Sequence, residues 1–200
     1  MKRVWILLAA LLMSACAGGG NPTTVAVYDF GLPAAPLAAE GKWSRLALEL
    51  KSPSWFDSLH VGYRLAYDDP LKHHEYTASR WVSAPDSLLA QRLRQQLGSA
   101  SVNGNIPFDC LLRVELQEFS QLFDTPQNSR GVLQVVVSLI DVRRQTVSER
   151  RLFIDKPAAT PDARGGVGAL VAASTELGLR LSSWLDRLNE QNTPGICRAK

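Results

Sequence analysis

Three cysteines, three histidines and scattered serines are the side chains of this 200-residue chain best suited to chemistry. His73 and His74 are adjacent, with Glu75 beside them. Neighbouring side chains on an extended segment point to opposite faces, so the trio cannot easily share one metal ion, and a solvated loop is its expected setting. His60 follows Asp57, but no motif sets a nucleophile near either. There is no Gly-x-Ser-x-Gly elbow and no Gly-x-x-x-x-Gly-Lys phosphate loop. Gly166-Val167-Gly168 begins like a dinucleotide fingerprint, yet Val171 stands where the third glycine belongs. The Lys156-to-Thr160 segment before it reads as a linker, where the fingerprint needs a strand. No linear motif encodes catalysis, although a serine, a histidine and an acid distant in sequence can still meet in a fold.

Cys16 stands apart from this thin inventory. Lys2 and Arg3 give a positive start, Val4 to Met13 is an almost unbroken apolar run, and the small residues Ser14 and Ala15 precede the thiol. That is the three-part layout of a secretory signal peptide. The run is too short to cross a bilayer core, which takes about 20 apolar residues. An ordinary cleavage site has no use for a thiol at the new N-terminus. The tetrad Met13-Ser14-Ala15-Cys16 resembles the bacterial lipobox, with Met13 in place of the usual Leu. Residues 1–15 are therefore expected to be removed, and Cys16 to become the first residue of the mature chain, carrying an N-acyl group and an S-diacylglycerol. One acyl chain holds a bilayer only marginally, whereas three suffice. Gly18 to Gly20, Asn21 and Pro22 then read as a tether, spanning residues 16–23 with the cysteine. Ala17, not Asp, follows the cysteine. By the sorting rule of enterobacteria that favours the periplasmic face of the outer membrane over the inner membrane.

Composition narrows the field further. Loss of Lys2 and Arg3 takes 22 basic residues to 20 against 19 acidic, so the net charge falls from +3 to about +1. A near-neutral domain lacks the basic field that nucleic-acid binding requires. Cys110 and Cys197 remain in an oxidising compartment, where a disulfide between them would tie the C-terminal tail to the centre of the domain. The alternative is two unrelated thiols, and neither has Cys-x-x-Cys or paired-histidine spacing for a metal. No cofactor is expected beyond the covalent lipid.

The remaining chain, 24–200, reads as one domain. Strands are expected at Thr24 to Gly31, in "RLALELK" with Leu46, Leu48 and Leu50 on one face, and in "HVGYRLAY". "HEYTASRWV" is a short strand or an ordered loop. The period then changes: Leu89, Leu93 and Leu97 stack on one side of a helix with Ser83 as its cap and Gly98 as its stop. Arg92, Gln95 and Gln96 fall on its wet side. "CLLRVELQEF", "GVLQVVVSLID" and "TVSERRLFID" form an antiparallel meander. In the second of these, Val136 and Ile140 suggest that something covers its back as well. Thr160-Pro161-Asp162 opens a long final helix, with Pro161 at its first position, and the glycines at 165, 166 and 168 are a hinge or a close packing point. The expected fold class is α+β, a mostly antiparallel sheet of about five or six strands with two helices on one face. Trp43, Trp55, Phe56 and Trp81 sit near strand ends, as lids of the core or as a recognition patch.

"VYDFG", "LELKSPSWFDSLHVGYRLAYDD" and "YTASRWVSAPDSLLAQRLRQQL", in that order behind a lipobox, resemble the ABC-type transport auxiliary lipoproteins. This is the family that includes the lipoprotein of the paraquat-inducible Pqi system. The likeness lies in Tyr63-Arg64, Arg80-Trp81, Pro85 and the leucine helix, and extends more loosely to the terminal helix. The resemblance implies a non-catalytic component of an intermembrane lipid transport system. Its expected partners are a periplasmic MCE-domain protein and an inner-membrane permease with its ATPase, and a homo-oligomer would suit docking onto a multimeric tunnel. Arg64, Arg80 and Trp81 match positions typical of the family, as partner contacts or as pins of the strand-to-helix crossing. Two other readings stay open: a pilotin-like envelope assembly lipoprotein, and a cryptic periplasmic hydrolase.

Overall fold

In the computed structural model, the described residues are 24–32, 36–39, 42–101 and 108–191. Eight strands among them form one sheet: β1 (Ala26–Tyr28), β2 (Leu46–Lys51), β3 (His60–Leu65), β4 (Asp69–Trp81), β5 (Ala100–Ser101), β6 (Cys110–Phe123), β7 (Ser129–Asp141) and β8 (Thr146–Pro157). A single 3-10 turn spans Ser54–Phe56, and two α-helices follow, α1 (Pro85–Leu97) and α2 (Ala163–Glu190). The six strands of six residues or more match the expected number; β1 and β5 are short additions. The α+β class, the single domain and the packing of helices against the sheet are as expected.

The long strand β6 organises the sheet. One edge pairs with β7 along its whole length, from Cys110↔Asp141 to Phe123↔Ser129. Its other edge is shared by two strands lying end to end. β2 runs parallel to its first half, Leu46↔Cys110 to Lys51↔Glu115, and β3 parallel to its last turn, Tyr63↔Gln121 to Leu65↔Phe123. The β6–β7 register slips between Leu116 and Glu118, a bulge that increases local twist where the second edge changes partner. The longest ladders, β6–β7 and β7–β8, are antiparallel, while parallel pairings tie β1, β2 and β3 into the same sheet.

Alternation decides which face of the sheet is covered. Leu112, Val114 and Leu116 of β6 and Leu133, Val135, Val137 and Leu139 of β7 are fully buried beneath α2. Leu170, Ala173, Leu177, Leu181 and Leu185 answer them from the helix at three- and four-residue steps. Burying side chains of this size contributes about 1.5–3 kcal/mol each, which makes this interface the main source of stability. Leu89, Leu93 and Leu97 of α1 are buried completely, as their spacing predicts.

Several local expectations need correction. α1 has no side-chain cap: its cap residue is Ala84, and Pro85 supplies a preset φ at the first turn. Gly98 does end it, at φ +63°. Arg92 and Gln96 are buried, not wet, because α1 packs on both α2 and the chain entering from β1. Arg92 donates to the carbonyls of Phe30 and Leu32, and Gln96 lies against Gly178 of α2. In α2 the cap is Asp162, whose Oδ1 accepts from the Gly165 amide at 2.8 Å, so Pro161 lies outside the helix. That amide bond and the Thr160 hydroxyl hold the Asp162 carboxyl below its ordinary range. The back of β7 carries no described helix; Val136 is half-buried, and Ile140 shares a hollow of about 560 Å³ with Phe108, Leu111 and Val142.

Three glycines of α2, Gly165, Gly166 and Gly178, are packing points, and Gly168 is not. A Cβ on Gly165 would run into Thr160, and one on Gly166 into the Gln121 side chain. Gly131 of β7 lets α2 approach equally closely: a Cβ there would lie 2.7 Å from the Leu170 amide nitrogen and 2.8 Å from the Ala169 carbonyl carbon. Backbone cannot step aside as a side chain can, so Gly131→Ala is expected to lower stability by about 1–3 kcal/mol. Gly168→Ala, where a Cβ meets nothing within 4 Å, is expected to leave stability unchanged or raise it by up to about 1 kcal/mol. Urea unfolding of the two variants checks the pair.

Candidate functional site

The acylation residue Cys16, the leader 1–15, the tether 16–23 and Cys197 lie outside the described residues. Cys110 is the first residue of β6, is buried, and is disulfide-bonded.

Arg64, Arg80 and Trp81 take three different positions. Arg64 reaches across the seam of the sheet from β3: its Nε lies 3.2 Å from Oε2 of Glu118, at the β6 bulge. Its Nη1 approaches the carbonyls of Pro70 and Leu71 at 3.5 Å. The guanidinium thus joins β6, β3 and the start of β4. Trp81 is buried in an aromatic cluster, 5.6 Å edge-on to Phe30 and 5.8 Å from Phe119. Both residues pin the crossing of strands. Arg80 points the other way, exposed, in a row with Val27 of β1 and His60 of β3. The aromatic set divides likewise: Trp43 and Trp81 are core, Phe56 is half-buried against it, and Trp55 is 72% exposed.

His73 and His74 belong to β4, a strand of 13 residues that replaces the expected loop. Alternation sends them to opposite faces, as expected for any extended pair. His74 stacks on Tyr63 at 5.0 Å, and His73 lies over Gly62. No group of three or more His, Cys, Asp or Glu side chains among the described residues could hold a metal ion. Beside this pair, Tyr76 donates to Gln121 Oε1 at 3.0 Å, and Gln121 Nε2 donates to Ser129 at 2.8 Å. Burial first, and then Tyr63, push the Tyr76 hydroxyl well above its ordinary pKa, so it stays a neutral donor. This chain orders the N-terminal end of α2 over the sheet.

One serine, histidine and acid do come together: Ser58, His60 and Glu75. Ser58 donates to Glu75 Oε1 at 2.7 Å. The Ser58 hydroxyl and Glu75 Oε2 both approach the same ring nitrogen of His60, Nδ1, at 3.4 Å. A relay needs the nucleophile on one nitrogen and the acid on the other, so these groups are not ordered in series. The sequence sets Asp57 near His60, but the acid that arrives is Glu75, brought by the β3–β4 pairing.

Two surface features went unnoticed in the sequence. The first is the outer edge of β8, which among the described residues pairs with β7 on one side only. The second lies beside it: a groove of about 440 Å³ between β8 and α2, walled by Arg150, Arg180, Arg187, Trp184, Leu152 and Leu179. Arg150 sits 5.8 Å over the Trp184 ring, and Arg180 bonds Glu176 at 2.8 Å and the Phe153 carbonyl at 3.4 Å. Arg180 above all, then Lys156, hold the Glu176 carboxyl below its ordinary range. Three guanidiniums against one carboxylate, on an apolar floor, suit an anionic partner. The signal was present in the spacing of Arg180 and Arg187 on one helical stripe, but β8 had to be placed before it could be recognised.

No protein-family model and no curated protein matches the sequence. Solved structures do share its fold. A Xanthomonas campestris protein of the family model DUF330 superposes with a TM-score of 0.69 at 16% identity, over 83% of this chain and 98% of its own. An uncharacterized protein superposes at TM-score 0.61 and 15% identity, over 81% and 99%. A third, described as a candidate lipoprotein of Caulobacter crescentus, overlaps 50% of this chain and 81% of its own at 19% identity and TM-score 0.37, too weak to carry any argument.

If Ser58 were a nucleophile, its hydroxyl would have to leave Glu75 and turn to a free base. Native protein is expected to hydrolyse p-nitrophenyl esters no faster than buffer, and Ser58→Ala to behave identically. Turnover that vanishes in Ser58→Ala would give the set a catalytic role.

Proposed function

We propose that this chain is a lipid-anchored, non-catalytic docking component of an intermembrane transport system, held at the periplasmic face of the outer membrane through acylated Cys16. The order of parts along the chain carries the reading: an acylatable cysteine, a short tether, then a rigid domain whose described sheet ends in a strand with an open outer edge beside a basic groove. Docking needs a foot, a reach and a fixed surface. The lipobox tetrad supplies the foot. The β8 edge and the three guanidiniums of the groove beside it supply a surface on which an extended acidic segment can add main-chain hydrogen bonds and find charge partners. The resemblance to transport auxiliary lipoproteins names the partner: an MCE-domain periplasmic protein working with an inner-membrane permease and ATPase. On this reading Arg64 and Trp81 keep the sheet in register, and neither touches the cargo.

A photo-crosslinking side chain in place of Phe153, half exposed on β8, tests the surface in the native membrane-bound protein. The expected product joins this chain to an MCE-domain protein. Products with a pilus or secretin subunit would instead establish the assembly-lipoprotein alternative, and a lack of products at Phe153 would remove the β8 edge from the docking surface.

A further inference from the structure

Several of the exposed large apolar side chains among the described residues lie on neighbouring segments, while others, such as Leu71, Val142 and Leu179, lie elsewhere. Val25 and Val27 (43% and 51% exposed), Trp55 (72%), Leu59 (39%) and Val82 (57%) all belong to segments bonded together at one end of the domain. The Val82 amide donates to the Tyr28 carbonyl at 2.8 Å, and the Trp81 amide to the Leu59 carbonyl at 2.6 Å. Ser52, just before the 3-10 turn that holds Trp55, donates to Asp86 at the start of α1 at 2.9 Å. An isolated exposed apolar residue requires no explanation, but five on one rim, with an indole among them, mark a contact surface.

The position of Cys16 says what that surface meets. Thr24 is eight residues on, and eight residues span at most about 28 Å even when fully extended. A domain of this size has a radius of gyration of about 16 Å, hence a width near 40 Å. The faces remote from β1 therefore lie farther from the anchor than the tether is long, and the rim around β1 is the part held closest to the bilayer. We propose that this rim, Val25, Val27, Trp55, Leu59 and Val82, with Arg80 among them, rests in the headgroup region of the membrane in which Cys16 is anchored. The inference rests on the anchored reading above and adds an orientation to it. Indole rings favour that depth because one edge is apolar and the other donates a hydrogen bond. The exposed Arg80, in register with Val27, is placed to meet lipid phosphates. The acidic and titratable neighbours on this face, Asp29, Asp57, His60 and Glu75, are exposed, and His60 and Glu75 pair with each other at 3.4 Å.

The tryptophans make the test clean. Trp5 leaves with the leader, and Trp43, Trp81 and Trp184 are at most 2% exposed, so a surface quencher reports on Trp55. Native acylated protein is reconstituted in phosphatidylethanolamine/phosphatidylglycerol vesicles, with Trp55→Phe as the reference that isolates the Trp55 emission. The expected result is several-fold protection of Trp55 from iodide, with strong quenching by a lipid spin-labelled near its headgroup. Protein that floats with the vesicles while Trp55 stays open to iodide would overturn the orientation and leave the anchor standing. Protection from iodide without quenching by the labelled lipid would show a protein surface, such as a second copy, on the rim and would also overturn it. Protein that fails to float at all would overturn the anchored reading itself.

Discussion

Strand β6 is the constraint on which the rest of the structure depends. A fourteen-residue strand paired on one edge by β7, and on the other by β2 and β3 in succession, forces three regions distant in sequence into one surface. The price is a seam where β2 ends and β3 begins, at the bulge beside Glu118. Arg64 closes that seam from the exposed side with a half-buried ion pair, and Phe119 closes it from the covered side by packing on Trp81 and Phe30. Cys110, at the head of the same strand, is fixed by its disulfide. Once β6 is placed, α2 has a single continuous apolar bed, and Gly131 lets it settle to backbone contact while Gly166 makes room for the Gln121 side chain.

The same geometry separates the two surfaces that bear on function. From edge to edge the strands run β1, β4, β3, β6, β7, β8. Five inter-strand spacings amount to about 24 Å. The chain enters from its proposed anchor at the β1 edge, and the open edge with the basic groove is β8, at the far side. On the proposed reading one sheet therefore carries membrane contact along one margin and partner contact along the other. A rigid body between them fixes the partner's height above the bilayer, which a longer tether alone would not.

Much of this was legible in the residues. The alternation of Leu112, Val114 and Leu116 and the fourfold spacing of Leu89, Leu93 and Leu97 are local signals, and both survive in the structure because burial follows the period of the element. What failed was non-local. Arg92 and Gln96 look like a wet stripe until the chain from β1 is laid over α1 and α2 is packed beside it. His73 and His74 look like a loop because polar residues fill both faces of β4 there, and pairing with β3 holds the backbone extended regardless. Ser58, His60 and Glu75 meet only because β3 and β4 pair, and no spacing along the chain announces it. Trp55 carried no signal to distinguish it from Trp43 or Trp81, since the core takes two of the three and geometry alone decides which.

The central claim is that covalent lipid on the sixteenth residue holds an independently folded body at a membrane. Intact mass of the native protein, extracted from envelopes without protease, measures this directly. The account predicts a polypeptide beginning at Cys16 and heavier than the bare chain by a diacylglycerol and a fatty acyl group. A mass equal to the unmodified polypeptide, with the leader retained or removed at another residue, would contradict it.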